Sequence, residues 1–105
     1  MNTNIKTNQQ FREFLITKMN TGIENLRCNI KTEKNLALMR LFICSKQFLE
    51  TNDLRFYNKI THYMNEFLYE SENVKKDGDY LNDANFLRDL FKMFEYYKER
   101  MNSIN

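Results

Sequence analysis

The sequence predicts an all-α protein, a single domain folded as a compact four-helix bundle, and three observations carry that reading. The 105-residue chain has no Pro and only two Gly, Gly22 and Gly78. Against roughly 5% Pro and 7% Gly in ordinary chains, so few breakers leave room only for long regular elements. Apolar residues recur at three- and four-residue intervals, the period of a helix with one buried face. The Gly, Pro and Asn-Gly turns that would close successive hairpins are missing, so strands have no way to pair. A chain of this length buries one core but hardly two, so residues 1–105 are expected to form one domain.

Residues 1–7 read as a frayed tail. Thr7 with Gln10 has the form of a capping box, and Phe11, Leu15 and Met19 follow at helical spacing, which predicts a first helix over about 8–20. Asn20-Thr21-Gly22 is the strongest stop signal in the first half, because Gly takes the left-handed conformation of a helix C-terminus. Thr21 and Glu24 would then cap a second helix, which collects Ile23, Leu26 and Ile30 and runs through the greasy stretch Leu36–Leu49 to about Glu50. A continuous helix through Gly22 stays open, since Ile23, Leu26 and Ile30 extend the same stripe. Thr32-Glu33-Lys34-Asn35 is expected to kink the second helix rather than open a loop, and a full break there would raise the helix count to five.

The central stretch buries Ala37, Leu38, Leu41, Phe42, Cys44, Phe48 and Leu49 on one broad face. Thr51-Asn52-Asp53 offers N-cap candidates for a third helix over about 53–71. Its apolar side is Phe56, Tyr57, Ile60, Tyr63, Met64, Phe67 and Leu68, and its polar side carries Arg55, Asn58, Lys59, His62, Asn65, Glu66 and Glu70. Residues 72–78 form the one expected loop. The last helix should run from Asp79 or Tyr80 to about Ser103, with Leu87, Leu90, Phe91, Phe94, Tyr97 and Met101 as its seam and acidic residues at its start.

Charge is uneven. Up to Lys59 there are ten basic residues against five acidic ones, and acid prevails afterwards; the two halves should attract each other across the bundle. No apolar run is long enough to span a bilayer, and the first ten residues are polar rather than signal-like. The expected location is therefore the cytoplasm, with no membrane partner. Cys28 and Cys44 fit no metal spacing and sit in helical pattern beside apolar residues, as reduced, buried thiols do.

Three functional readings follow from the residues. First, apolar surface exceeds what one bundle needs: Leu36, Met39 and Ile43 make a second seam on the outer side of the central helix, and Phe86, Met93 and Tyr96 flank the last seam. Met and aromatic side chains give large, adaptable contact area, so these six are the expected partner-binding residues of a non-enzymatic protein–protein interaction factor that self-associates as a homodimer. Abundant Asn, Lys and Ile without Pro is the composition of an AT-rich genome, which suggests a viral or phage accessory protein that occupies a host protein. Second, Arg55, Asn58, Lys59 and His62 share one face of the third helix, as in a recognition helix reading nucleic acid, and Arg27, Lys31 and Lys34 form another basic stripe. Third, Arg55 and His62 with six residues between them resemble the motif of HEPN-type ribonucleases, small helical bundles that often dimerise so that two motifs meet. The resemblance implies that Arg55 stabilises phosphate and His62 serves as acid or base at the attacking 2′-hydroxyl. The residue after the Arg, usually polar in that family, is Phe56 here, and the motif lies on the third helix rather than a late one.

No cofactor or metal is expected. His62, Glu66 and Glu70 stand at i, i+4 and i+8 but lack a second ligand-bearing helix. The chain has no Gly-rich phosphate loop, no Ser nucleophile elbow and no Cys-x-x-Cys. The interaction protein is the leading expectation, ahead of nucleic-acid binding and of catalysis by Arg55 and His62.

Overall fold

The computed structural model describes residues 8–74 and 79–104, with side chains over 9–72 and 82–100. The chain is all-α: four helices, α1 (Asn8–Leu26), α2 (Glu33–Thr51), α3 (Leu54–Val74) and α4 (Asp79–Ile104), with no strand among the described residues. Each helix packs on the next, and α4 closes the ring against α1. The directions alternate. Arg12 near the start of α1 reaches Leu49 near the end of α2, Phe48 meets Tyr57 across the α2–α3 turn, Ser71 bonds Asp83, and Phe11 meets Tyr97. This is the up-down-up-down arrangement that short connections impose.

The first helix does not stop at Gly22. It continues to Leu26, and residues 27–32, expected to belong to the second helix, form a true connection just before the place where only a kink was expected, at 32–35. Two causes are visible. Gly22 is used for close approach rather than for a left-handed cap: an ideal Cβ there would stand 2.5 Å from the Phe42 ring. Thr32, extended at φ −103 and ψ 154, accepts a hydrogen bond from the Asn35 N–H and so caps α2 one residue before Glu33. The Asn35 side chain donates to the Asn29 carbonyl at 2.8 Å and holds the connection against the new helix. Cys28 consequently lies exposed in this connection, not in a helix, while Cys44 is buried as expected.

The α2–α3 turn is two residues long. Asn52 takes the left-handed conformation (φ 58, ψ 22) and its N–H bonds the Phe48 carbonyl at 2.7 Å. Asp53 caps α3, its Oδ1 accepting from the Arg55 N–H at 2.9 Å. Buried Tyr97 of α4 donates its hydroxyl to Asn52 Oδ1 at 2.8 Å, so the turn is fastened to the far side of the bundle. At its other end α3 runs on through residues 72–74, which had been assigned to the loop; residues 75–78 of that loop and the tail 1–7 lie outside the described residues.

The core combines Leu15 and Met19 with Leu41, Phe48 and Leu49, then Ile60 and Phe67, then Leu90, Phe94 and Tyr97. Two serines are buried with them. Ser45 donates to the Leu41 carbonyl one turn back, and Ser71 donates to Asp83, so neither polar group is stranded. Asp83 also holds Lys34 at 2.6 Å with both side chains largely shielded. This pair joins the basic first half to the acidic second half, and with Ser71 it ties α2, α3 and α4 at one end.

Candidate functional site

The helices are not equally well packed. α2 and α3 share the most extensive interface, and α1 and α4 the thinnest. Near the start of α1, Phe11 is long enough to reach Tyr96 edge-on at 5.3 Å and Tyr97 at 6.3 Å. Further along, α1 turns Thr17, Thr21, Gly22 and Asn25 toward α4, and these are too short to fill the space. An open groove of about 490 Å³ results.

Its floor is Leu38 and Phe42 of α2. The α1 wall adds Phe14, Met19 and Leu26, and the α4 wall is Phe86, Leu90 and Met93. The missing Cβ of Gly22 lets the Phe42 ring lie against the α1 backbone, where it meets Phe86 edge-on at 6.2 Å and 84°. The only charged residue among the described lining is Lys18, whose Nζ stands 5.5 Å from the centre of the Phe14 ring. Among the described residues no carboxylate lines the groove, and Lys18 makes no ion pair. A shallower depression of about 280 Å³ lies between α3 and α4 over Met64, Leu68 and Phe91.

The six expected partner-binding residues divide between two places. Phe86 and Met93 belong to the groove. Tyr96, half exposed, packs on Phe11 and accepts a hydrogen bond from Arg100. On the other side, Leu36 and Met39 are half-buried and Ile43 is 42% exposed, and none of the three belongs to the core cluster. Among the described residues α4 meets α2 elsewhere, through Phe86 on Phe42 and Asp83 on Lys34.

The charged face of α3 is settled locally. Arg55, with its side chain 88% exposed, donates to both carboxylate oxygens of Asp53. Those hydrogen bonds hold the Asp53 carboxyl below its usual range and raise the Arg55 guanidinium above its own. Lys59 lies over the Phe56 ring, and His62 pairs with Glu66 at 2.9 Å. Arg55 and His62 stand about 10 Å apart along the helix axis, each engaged by its own carboxylate. Asn58 is exposed between them. In the second basic stripe Arg27 pairs with Glu24, Lys31 is exposed and Lys34 turns inward to Asp83.

Among the described residues no three His, Cys, Asp or Glu side chains gather as metal ligands, and no helix is long and apolar enough to cross a membrane. Burial pushes the Cys44 thiol up, with Lys59 opposing, so it stays protonated and unreactive at neutral pH. The sequence reading missed Phe14, Thr17, Lys18 and Gly22 as neighbours of Phe86 and Met93. The one available signal was Phe14, a large aromatic off the Phe11, Leu15 and Met19 stripe.

Fold and site together define a small all-α bundle with an apolar groove on one side and a partly exposed apolar seam on another. No protein-family model matches the chain, and neither a curated protein nor a solved structure matches it.

Proposed function

We propose that this chain is a non-enzymatic interaction protein that self-associates through the outer side of α2. One observation carries the reading: Ile43 is 42% exposed, beside half-buried Leu36 and Met39, on the side of the helix opposite its core face. Fully burying side chains of this size contributes about 1.5 to 3 kcal/mol each, so covering the seam favours association. A second copy presents the same patch, as a two-fold interface requires. Arg40, Gln47 and Glu50 surround the seam and supply a polar rim with both signs of charge.

Light scattering tests the proposal. The wild-type chain is expected to be a dimer at micromolar concentration, and the Met39→Glu/Ile43→Glu variant a monomer with unchanged far-UV circular dichroism. A monomeric wild type ends the reading. So does a double variant that unfolds, because those side chains would then belong to the core.

A further inference from the structure

We propose that the groove between α1 and α4 binds a free amphipathic carboxylate of the medium-chain fatty-acid class, with its alkyl chain along Phe42 and its head group at Lys18. This is independent of the α2 seam. The volume of about 490 Å³ falls within the roughly 300–1,000 Å³ of small-ligand sites. The lining has the composition of such sites, apolar and aromatic walls with a few polar groups confined to one edge.

Shape favours a thin ligand. On α1 the groove extends from Phe14 to Leu26, about 18 Å of helix at 1.5 Å per residue. A helix about 10 Å across takes up on the order of 400 Å³ per 5.4 Å turn, so the groove would accept little more than one turn of a partner helix. An alkyl chain is one carbon wide and can follow the whole slot. The absent Cβ of Gly22 matters here, because a side chain at that position would clash with the Phe42 ring and displace it from the floor of the groove.

Charge selects the head group. Lys18 is the one ionic group among the described lining residues, and it sits toward the Phe14 end with Thr17 and Thr21 also in the lining, while Glu13 borders the adjoining depression beyond Phe14 and Thr17. A carboxylate there gains a charge-assisted hydrogen bond while the chain runs toward Leu26 and Leu38. A cationic amphiphile would meet Lys18 with like charge.

The methionines make the test internal. Met19 and Met93 line the groove, Met39 is on the outer seam, and Met64 borders the α3–α4 depression. With ¹³C-methyl-labelled full-length chain and dodecanoate below its micelle concentration, the Met19 and Met93 resonances are expected to shift saturably while those of Met39 and Met64 stay in place. Lys18→Glu, at an exposed position, should weaken dodecanoate about tenfold and leave uncharged dodecanol unaffected. Thr21→Trp, which fills the slot from its exposed edge, should abolish binding of both. No shift at millimolar dodecanoate overturns the proposal, as does equal binding of dodecyltrimethylammonium, indifference to Lys18→Glu, or shifts centred on Met39 or Met64. Association with phosphatidylglycerol vesicles but not with monomeric dodecanoate would assign the surface to a membrane, and the proposal would fail.

Discussion

The solvent sides of α2 and α3 solve the same problem differently. On α3 three charged groups have a neighbour within two residues or one turn: Asp53 for Arg55, Phe56 for Lys59, Glu66 for His62. On α2 the matching side carries Leu36, Met39 and Ile43, and no local contact can satisfy an apolar side chain in water. α3 packs one face against α2 and α4 and leaves the rest to solvent. α2 meets α1 and α3 along its length and α4 through Phe42 and Lys34, so its hydrophobic residues extend around most of the circumference. Exposed charge is settled within a helix, whereas exposed apolar surface calls for a partner from outside it.

The largest expected effect breaks α2 on its inner side. Leu41 is fully buried, and Leu41→Ala should cost about 3 kcal/mol in chemical denaturation. Ile43→Ser, two residues along, should change stability by less than about 0.5 kcal/mol at dilutions where the chain is monomeric. Comparable losses at both positions would erase the distinction between the two sides of α2.

Next comes the joint between α2 and α3. Asn52→Ala loses the acceptor of the Tyr97 hydroxyl and puts a residue with no polar side chain to support it onto left-handed backbone, together about 2 kcal/mol. Asn52→Gly relieves the backbone and should recover about half of that. If Gly performs no better than Ala in thermal unfolding, the Tyr97 bond accounts for the whole effect.

Alkaline pH tests the inner side without mutation. Burial raises the Tyr97 hydroxyl, with Arg12 opposing, and burial likewise raises the Cys44 thiol. Each group binds its proton more tightly folded than unfolded. The associated stability is therefore complete below the unfolded-state pKa and is lost as pH rises through the folded one. Melting temperature should fall from the thiol range upward and further through the phenol range, and Cys44→Ala should remove the first part of the fall. Cys28, exposed in the α1–α2 connection, should meanwhile react with a thiol reagent at once under native conditions, and Cys44 only on unfolding.

The smallest effect belongs to the outer side of α3. His62→Ala removes one exposed pair with Glu66 and should alter stability by about 0.3 kcal/mol or less, diminishing further in salt. A larger loss would mean that this face is held by something beyond its own neighbours.

How much of this was legible can be read from single residues. Tyr57, Ile60, Met64 and Phe67 are spaced as one helical face, and all four are buried. Asn52 and Asp53 stand out as turn and cap residues, and both serve so. Gly22 misled, because a Gly that ends a helix and a Gly that admits a neighbouring ring are the same letter; only the position of Phe42 tells them apart. The connection over 27–32 has no Gly or Pro to announce it. Nothing in the local pattern marks Ser45 and Ser71 for burial, and they are accommodated because a carbonyl one turn back and Asp83 on another helix accept their hydroxyls.

The sequence by itself determined that the chain is helical, where three of the helices begin, and which residues of α3 and α4 face inward, because helical period, capping residues and scarcity of breakers act over a few neighbouring positions. Tertiary structure alone decided which apolar residues stay uncovered and where the groove opens. Whether Phe86 and Met93 seal against α1 depends on side chains some seventy residues earlier in the chain, and Thr17, Thr21, Gly22 and Asn25 are too short to meet them. That mismatch in length across two helices is a property of packing, and no local pattern encodes it.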